Sequence, residues 1–349
     1  MKTYVNFIGI DISKEHLDYC LVVDGKTVVS FREENTSEGI EKVVSIFQKD
    51  HQVKLENTIF CMEHTGVYQA HLVSFLYEKC WDIWLENPTQ IKFSMGLQRG
   101  KNDKVDAKRI GIYAFKNRQD LKLWTPKRYK ITFLGELLAL KDRLVRTRSS
   151  LVVPIGEQKP FWDSKLSADI TPYSEKVITE LNTQITAGRH SAIEKKIQEE
   201  IDNDEQIKSL FETVTSVPGI GKKTAIEMIV QTNEFKEFAT AREFACYIGI
   251  APFEYSSGKS VRGKTKVSQK ANKKVKTLLT MGCMNFAKLK GKANIFREYY
   301  QRKVAEGKNK MAVINALRNK LVHTIFALVK KGEKFVNSLN QTENNLVLP

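Results

Sequence analysis

The sequence predicts a mixed α/β N-terminal domain, an antiparallel helical (coiled-coil) arm and a mainly α C-terminal domain. Three observations carry this. Strand-like runs precede alternating helix and strand patterns in the first ninety or so residues, while leucine-type residues recur at helical spacing through the middle. The positive charge is concentrated at the far end: Lys+Arg against Asp+Glu is 16 to 17 over residues 1–120, but 23 to 8 over 211–330. At 349 residues the chain exceeds a usual single core, and 42% apolar content is enough to fill more than one.

Residues 4–12, 17–24 and 26–35 are β-rich, and Asp24-Gly25 supplies a hairpin turn between the last two. An amphipathic helix fits 37–49 with Thr36 or Ser37 as its cap. A strand at Asn57–Met62, a helix at Tyr68–Lys79 and a strand at Asp82–Leu85 follow. Three antiparallel strands and then alternating helices and strands predict a mixed sheet of ribonuclease-H type, bounded at 1–125. Helical spacing over 127–153 (Leu134, Leu137, Leu138, Val145) and 174–210 (Ile178, Leu181, Ile185) predicts two long helices. They would join through a Pro154 to Pro172 segment as an arm over 126–210. Residues 211–331 read as helices around the turn Val217-Pro218-Gly219-Ile220-Gly221 and a Lys/Arg loop, and 332–349 as a flexible polar tail.

Cys20, Cys61, Cys80, Cys246 and Cys283 are odd in number and lack CxxC spacing, so they read as buried thiols rather than disulfides or a zinc knuckle. The apolar start at Val5–Ile10 is too short for a signal segment, and no run approaches the ~20 apolar residues of a membrane span. A bacterial cytoplasmic, nucleoid-associated location is expected, with no membrane partner. A net charge of +16 favours a polyanion, because each neutralised phosphate releases counterions.

Asp11 lies inside the apolar run Phe7–Ile12, where a carboxylate is costly unless a positive group meets it. Glu63 ends a second such run, Ile59–Met62. Asp103 and Asp106, at i and i+3, share a face at the start of a predicted helix. Strand-end hydrogen bonding and helix-dipole acids are the ordinary readings of these residues taken singly. As a set, four carboxylates could bind Mg²⁺, whose hard octahedral chemistry calls for oxygen ligands. Two such ions can activate an attacking oxygen and stabilise a leaving one in phosphoryl transfer.

In the C-terminal region, Gly219 and Gly221 followed by Lys222 and Lys223 have the form of a helix-hairpin-helix turn, which meets a nucleic-acid backbone. From Lys259 to Lys276 there are eight Lys/Arg and no acid. Lys259, Arg262, Lys264, Lys266, Lys270, Lys273 and Lys274 are the expected phosphate contacts within that stretch. A Ser-Ser-Gly beside it, at Ser256–Gly258, is by itself ordinary turn chemistry.

Taken in order, Gly9–Lys14, Glu63 with Thr65-Gly66, Lys101–Ala107, the Pro-Gly-Ile-Gly turn and Pro252–Lys264 resemble the DEDD insertion-sequence transposases. These are relatives of the Piv-type DNA invertases and of the bridge-RNA-guided recombinases. The resemblance spans about residues 4–300. It implies a RuvC-like catalytic domain whose tetrad is Asp11, Glu63, Asp103 and Asp106, acting through Mg²⁺. It further implies a basic transposase domain whose serine attacks DNA to form a covalent phosphoserine. Ser257 matches the family's Ser-Gly, with Ser256 the adjacent alternative. Donor and target DNA, an element-encoded guide RNA and a homo-oligomer, dimer or tetramer, are the implied partners. One departure is Ala271 in Ser268-Gln269-Lys270-Ala271-Asn272, where the family carries glycine.

Two other readings compete. A Holliday-junction-resolving nuclease could use the same carboxylates with metal-activated water, and it would tolerate loss of Ser257. A non-catalytic binder would have no use for the complete set of four carboxylates.

Overall fold

The computed structural model describes residues 2–94, 103–185, 191–257, 261–267, 271–287 and 294–337, excepting the side chains of 103–104, 254–257 and 261–266. It divides into two compact units, Met1–Pro126 and Lys127–Pro349.

In the N-terminal unit the chain runs β1 (Asn6–Ile12), β2 (His16–Val23), β3 (Lys26–Glu34), α1 (Ser37–Asp50), β4 (Thr58–Glu63), α2 (Ala70–Glu78), β5 (Asp82–Glu86), α3 (Pro88–Ser94) and α4 (Asp103–Lys116). The sheet order is β3-β2-β1-β4-β5. The first three strands pair antiparallel, and β4 and β5 add in parallel to β1. This is the ribonuclease-H-type arrangement expected from the sequence. Asp24 and Gly25 both take positive φ, 49° and 75°, as a two-residue hairpin turn of this hand requires. Thr36 caps α1 by accepting from the Gly39 amide.

Alternation along the strands divides the core in two. Ile8, Ile10, Leu17, Tyr19 and Leu21 pack under α1 and α2. Phe7, Cys20, Ile59, Cys61 and Trp84 pack under α4, against Ala107, Ile110, Tyr113 and Ala114. Helix α4 lies directly on β1 because both surfaces are bare at the crossing: a Cβ on Gly9 would fall 2.1 Å from Gly111 N and 2.2 Å from Ala107 O.

The C-terminal unit runs α5 (Tyr129–Gln158), α6 (Ser164–Ile185), α7 (Ala192–Asp202), α8 (Glu205–Ser216), α9 (Lys222–Gln231), α10 (Ala241–Tyr247), β6 (Pro252–Ser257), β7 (Val261–Val267), α11 (Lys273–Ala287), α12 (Ile295–Ala305) and α13 (Lys310–Lys331). Several expectations are corrected here. Pro154 and Pro172 lie inside α5 and α6 rather than in a linker. Each removes only one ladder hydrogen bond, and the pairing of the two helices outweighs that loss. The single helix expected over 174–210 is three, because Ser191 and Asp204 cap new starts by accepting from the Glu194 and Ile207 amides. The Lys/Arg loop is partly a two-stranded antiparallel hairpin, β6 with β7.

One core holds this unit together, with Ile131, Leu134 and Leu138 of α5 and Ile193, Ile197 and Ile201 of α7 joining Phe244, Leu279, Leu317 and Leu321. Helix α13 is long and apolar enough by length and composition to cross a membrane, against expectation. Its apolar face is nevertheless core, with Val313, Leu317, Leu321 and Ile325 buried and Arg318 buried beside them. Not every thiol is buried as expected either: Cys80 is exposed, at a left-handed turn position with φ 59°.

Candidate functional site: a carboxylate rim and a basic hairpin

The register of the sheet decides where the acidic residues stand. Ile10 of β1 pairs with Met62 of β4, so the next residues, Asp11 and Glu63, stand at the same end of adjacent parallel strands. Across β1, Asp11 is opposite Asp18 of β2; across β4, Glu63 is opposite Glu86 of β5. Directly opposed residues share a face. Each of these acids also shares strand parity with a residue buried under α4: Asp11 with Phe7, Asp18 with Cys20, Glu63 with Cys61 and Glu86 with Trp84. Four acids therefore cross the sheet along one rim.

Helix α4 brings its own. Ala107 and Gly111 lie against Gly9, while Phe115 stacks edge-on against Phe7 at 5.5 Å, so α4 runs antiparallel to β1. Its first turn, which carries Asp103 and Asp106, thus reaches toward the Asp11 end. Asp106 is half-buried and accepts from Arg109 Nη1 at 2.6 Å. The Asp103 side chain lies outside the described residues.

Asp18 and Glu86 were not singled out from the sequence. Asp18 is almost fully buried, 3% exposed, with Arg32 Nη2 3.5 Å from its Oδ2. Glu86 accepts from the Tyr113 hydroxyl at 2.9 Å and from the Asn87 amide at 2.7 Å. Burial, that hydrogen bond and the Glu86 charge push the Tyr113 hydroxyl well above its usual range. Beneath the rim, burial and then the charges of Glu86 and Glu63 push the Cys61 thiol up, so it stays protonated. The signal that could have found Glu86 is its place at the end of an apolar run, Ile83-Trp84-Leu85, just as Glu63 ends its own. Among the described residues no three His, Cys, Asp or Glu side chains close on one point as a metal cage would.

The basic residues of the C-terminal unit fall into two groups. On β7, Arg262 is opposite Ser256 and Val261 opposite Ser257, while a bulge between the Tyr255–Gly263 and Phe253–Lys266 pairs interrupts the alternation along Arg262, Lys264 and Lys266. Lys259 and Lys270 lie outside the described residues. Lys222, Lys223 and Lys273 are exposed at the first turns of α9 and α11. Lys274 is not free for a phosphate: its ammonium sits 2.7 Å from both Asp142 Oδ2 and Glu227 Oε2, and Lys223 reaches Asp142 Oδ1 at 3.3 Å. Burial alone would raise the Asp142 carboxyl, but Lys274 and Lys223 hold it below the usual carboxylate range. Burial opposes and the two acids favour the charged form of Lys274, and the acids prevail.

The two turn glycines differ. Gly219, at φ 83°, is pressed on α11, where a Cβ would meet the Phe286 ring at 2.7 Å. Gly221, the N-cap of α9, faces open space. Behind the hairpin, Asn272 caps α11 and donates to Gln231 Oε1 at 3.0 Å, while Lys276 donates to the Gly249 carbonyl at 2.8 Å.

Two family models match. One, described as a transposase of the IS110 type, covers residues 8–156. The other, Transposase IS116/IS110/IS902 family, covers residues 211–301. The chain is 25% identical over 343 residues to the pilin gene-inverting protein of Moraxella bovis, covering 97% of this chain and 99% of that one. It is 22% identical to the transposase for insertion sequence element IS1111A of Coxiella burnetii, covering 95% and 91%. Among solved structures, T. thermophilus RuvC in complex with a Holliday junction substrate is 13% identical over 35% of this chain and 100% of that one, with a TM-score of 0.28.

Proposed function

We propose, from the matches to two transposase family models and to a gene-inverting protein and a transposase, that this chain is a transposase of the IS116/IS110/IS902 type that cuts and rejoins DNA, and that Asp11, Glu63, Asp103 and Asp106 with a serine nucleophile, Ser257, carry the reaction. The supporting observation is the pair of like-charge oppositions on one rim, Asp11 with Asp18 and Glu63 with Glu86. Directly opposed like charges destabilise a sheet. A sequence that keeps two such pairs side by side has a use for the field they make.

A divalent cation suits that field. The donors are carboxylate oxygens, which Mg²⁺ prefers, and the nearest soft donor, the Cys61 thiol, is buried and protonated. When bound, Mg²⁺ supplies charge neutralisation on the phosphoryl oxygens and activation of the attacking one. Asp11, Glu63, Asp103 and Asp106 would hold it, Asp106 exchanging its contact with Arg109 to do so, and Arg109 would then be released to a DNA phosphate.

The serine step conserves atoms and charge. As the Ser257 Oγ–P bond forms, one bridging P–O bond of the strand breaks; the hydroxyl loses its proton and the departing strand oxygen gains one. Reversal by the hydroxyl of a second strand frees the serine and rejoins DNA. Arg262, Lys264 and Lys266 would neutralise the strand phosphates at the hairpin, and Lys222, Lys223, Lys273 and the Gly221 amide would track the backbone as a helix-hairpin-helix does. An element-encoded guide RNA would occupy the remaining basic surface.

The serine and the carboxylates lie in different units. Assembly through the α5–α6 arm of residues 126–210 would bring them together in a homo-oligomer. Val145, Val153, Ile170 and Val177, exposed apolar residues on that arm, are consistent with such a seam. In this division, residues 1–125 supply the carboxylates, 211–331 the serine and the basic surface, and 332–349 a tail.

The test is adduct trapping. Wild-type, Ser257→Ala and Ser256→Ala proteins are incubated with Mg²⁺, guide RNA and labelled DNA, then denatured and examined for covalent protein–DNA species. Loss in Ser257→Ala alone is expected. Loss in Ser256→Ala alone moves the nucleophile by one residue, and undiminished recombination in both favours a metal-activated water.

A further inference from the structure

Helices α12 and α13 leave an open groove of about 480 Å³, lined neither by the acidic rim nor by the basic hairpin. Its walls follow from the amphipathic spacing of the two helices. Helix α12 turns Phe296 and Tyr300 into the core and leaves Glu298, Tyr299 and Arg302 along the groove. Helix α13 buries Leu317, Leu321 and Ile325 and leaves Lys320, His323 and Thr324 facing the same space.

At its centre one ring carries two cations. Lys320 Nζ lies 4.7 Å from the centroid of Tyr299, and Arg302 Cζ lies 5.9 Å from it. The two charges are therefore no farther apart than the sum of those distances. The ring attracts each cation weakly at an exposed site, but it does not remove their mutual repulsion. Arg302 has Glu306 only at 4.0 Å, the outer limit of an ion pair, and its side chain is 67% exposed. Among the described residues Lys320 is paired with no carboxylate. An anion between the two would settle both, and the half-buried ring offers a flat apolar surface beside it.

We propose that the α12–α13 groove binds a nucleotide of a single strand, with its phosphate on Arg302 and Lys320 and its base against Tyr299. The shared chemistry is that of a phosphodiester next to an unpaired base, whether in RNA or in displaced DNA. A duplex keeps its bases stacked inward and cannot present one to the ring, so the groove selects single strands by stacking. His323 and Thr324 add donors to the rim of the site. The proposal rests on the reading that this chain handles nucleic acid.

The experiment is fluorescence anisotropy of the full chain with fluorescein-labelled poly-U RNA and poly-dT DNA of about 12 nucleotides and a duplex of the same length, over a range of salt. Tyr299→Ala should weaken single-strand binding on the order of tenfold, and Tyr299→Phe, which keeps the ring, should not. Arg302→Gln with Lys320→Gln should flatten the salt dependence by roughly 0.7 for each phosphate no longer neutralised. Duplex binding should be unchanged in all three. Loss in the RNA arm alone, the DNA arm alone or both names the strand and supports the groove. Wild-type affinity of Tyr299→Ala for both single strands overturns it, as does a Tyr299→Phe loss equal to that of Tyr299→Ala with the duplex weakened too. A wild-type chain that binds no oligonucleotide would sink the nucleic-acid reading itself, and the groove with it.

Discussion

The two units handle acidic residues in opposite ways. In the C-terminal unit the acids that enter the interior are matched to cations: Glu234 to Arg128 and Lys236, Asp204 to Arg128, Glu227 and Asp142 to Lys274. On the rim of the N-terminal unit acids are set opposite acids, Asp11 with Asp18 and Glu63 with Glu86, with Arg32 beside Asp18 and Arg109 on Asp106. A buried acid with a matched base is architecture, since removing either partner leaves a charge uncompensated. Acids set directly opposite one another on adjacent strands repel, a cost that the cation proposed above would offset.

The contrast breaks most sharply under neutralising substitutions. Asp11→Asn and Asp106→Asn should each lower strand cutting by on the order of a thousandfold, comparable to removing a group that stabilises charge in a transition state, while DNA affinity by gel shift stays near wild type. Preserved cutting in either variant would make the rim structural, like the acids of the other unit. Next in size is Lys274→Met, which leaves Glu227, 1% exposed, without its cation. A loss of about 3 kcal/mol in chemical denaturation is expected.

The same variant carries a pH signature. Asp142 is held below its usual carboxylate range, so its stabilising contribution is present above about pH 4 and is lost as pH falls through the folded value. The acid limb of the stability profile should be shallower in Lys274→Met. Smallest is the hairpin: Arg262→Gln, Lys264→Gln and Lys266→Gln together should reduce the salt slope of duplex binding by up to about 0.9 for each phosphate no longer neutralised, with Tm unchanged. A slope equal to wild type would place the phosphate-binding surface elsewhere.

Much of the N-terminal unit was legible because its rules are local. Apolar runs of strand length, Asp24-Gly25 with two left-handed residues, and a capping Thr36 each decide their own segment. Asp11 and Glu63 stood out because each interrupts or ends such a run. Asp18 and Glu86 did not, since their importance comes from register: only pairing with Asp11 and Glu63 makes them neighbours.

The C-terminal unit was harder to read. Its breaks at Ser191 and Asp204 are set by single capping hydrogen bonds inside an otherwise continuous helical pattern. Pro154 and Pro172 looked like a linker, but the packing of α5 on α6 carries both helices through them. The β6–β7 hairpin hid under its charge, because alternation of Arg262, Lys264 and Lys266 with small residues reads equally as a basic loop. Lys274 looked like a phosphate ligand until the fold set it between Asp142 and Glu227.

The central claim is that the acidic rim exists to hold a divalent cation, and it is tested most directly by calorimetric titration of Mg²⁺, and of Mn²⁺ as a second oxygen-preferring ion, into wild-type and Asp11→Asn proteins without DNA. Saturable binding in the wild type, abolished in Asp11→Asn while the unchanged fold melts at a similar temperature, is the result expected. Equal heats in the two proteins would contradict it.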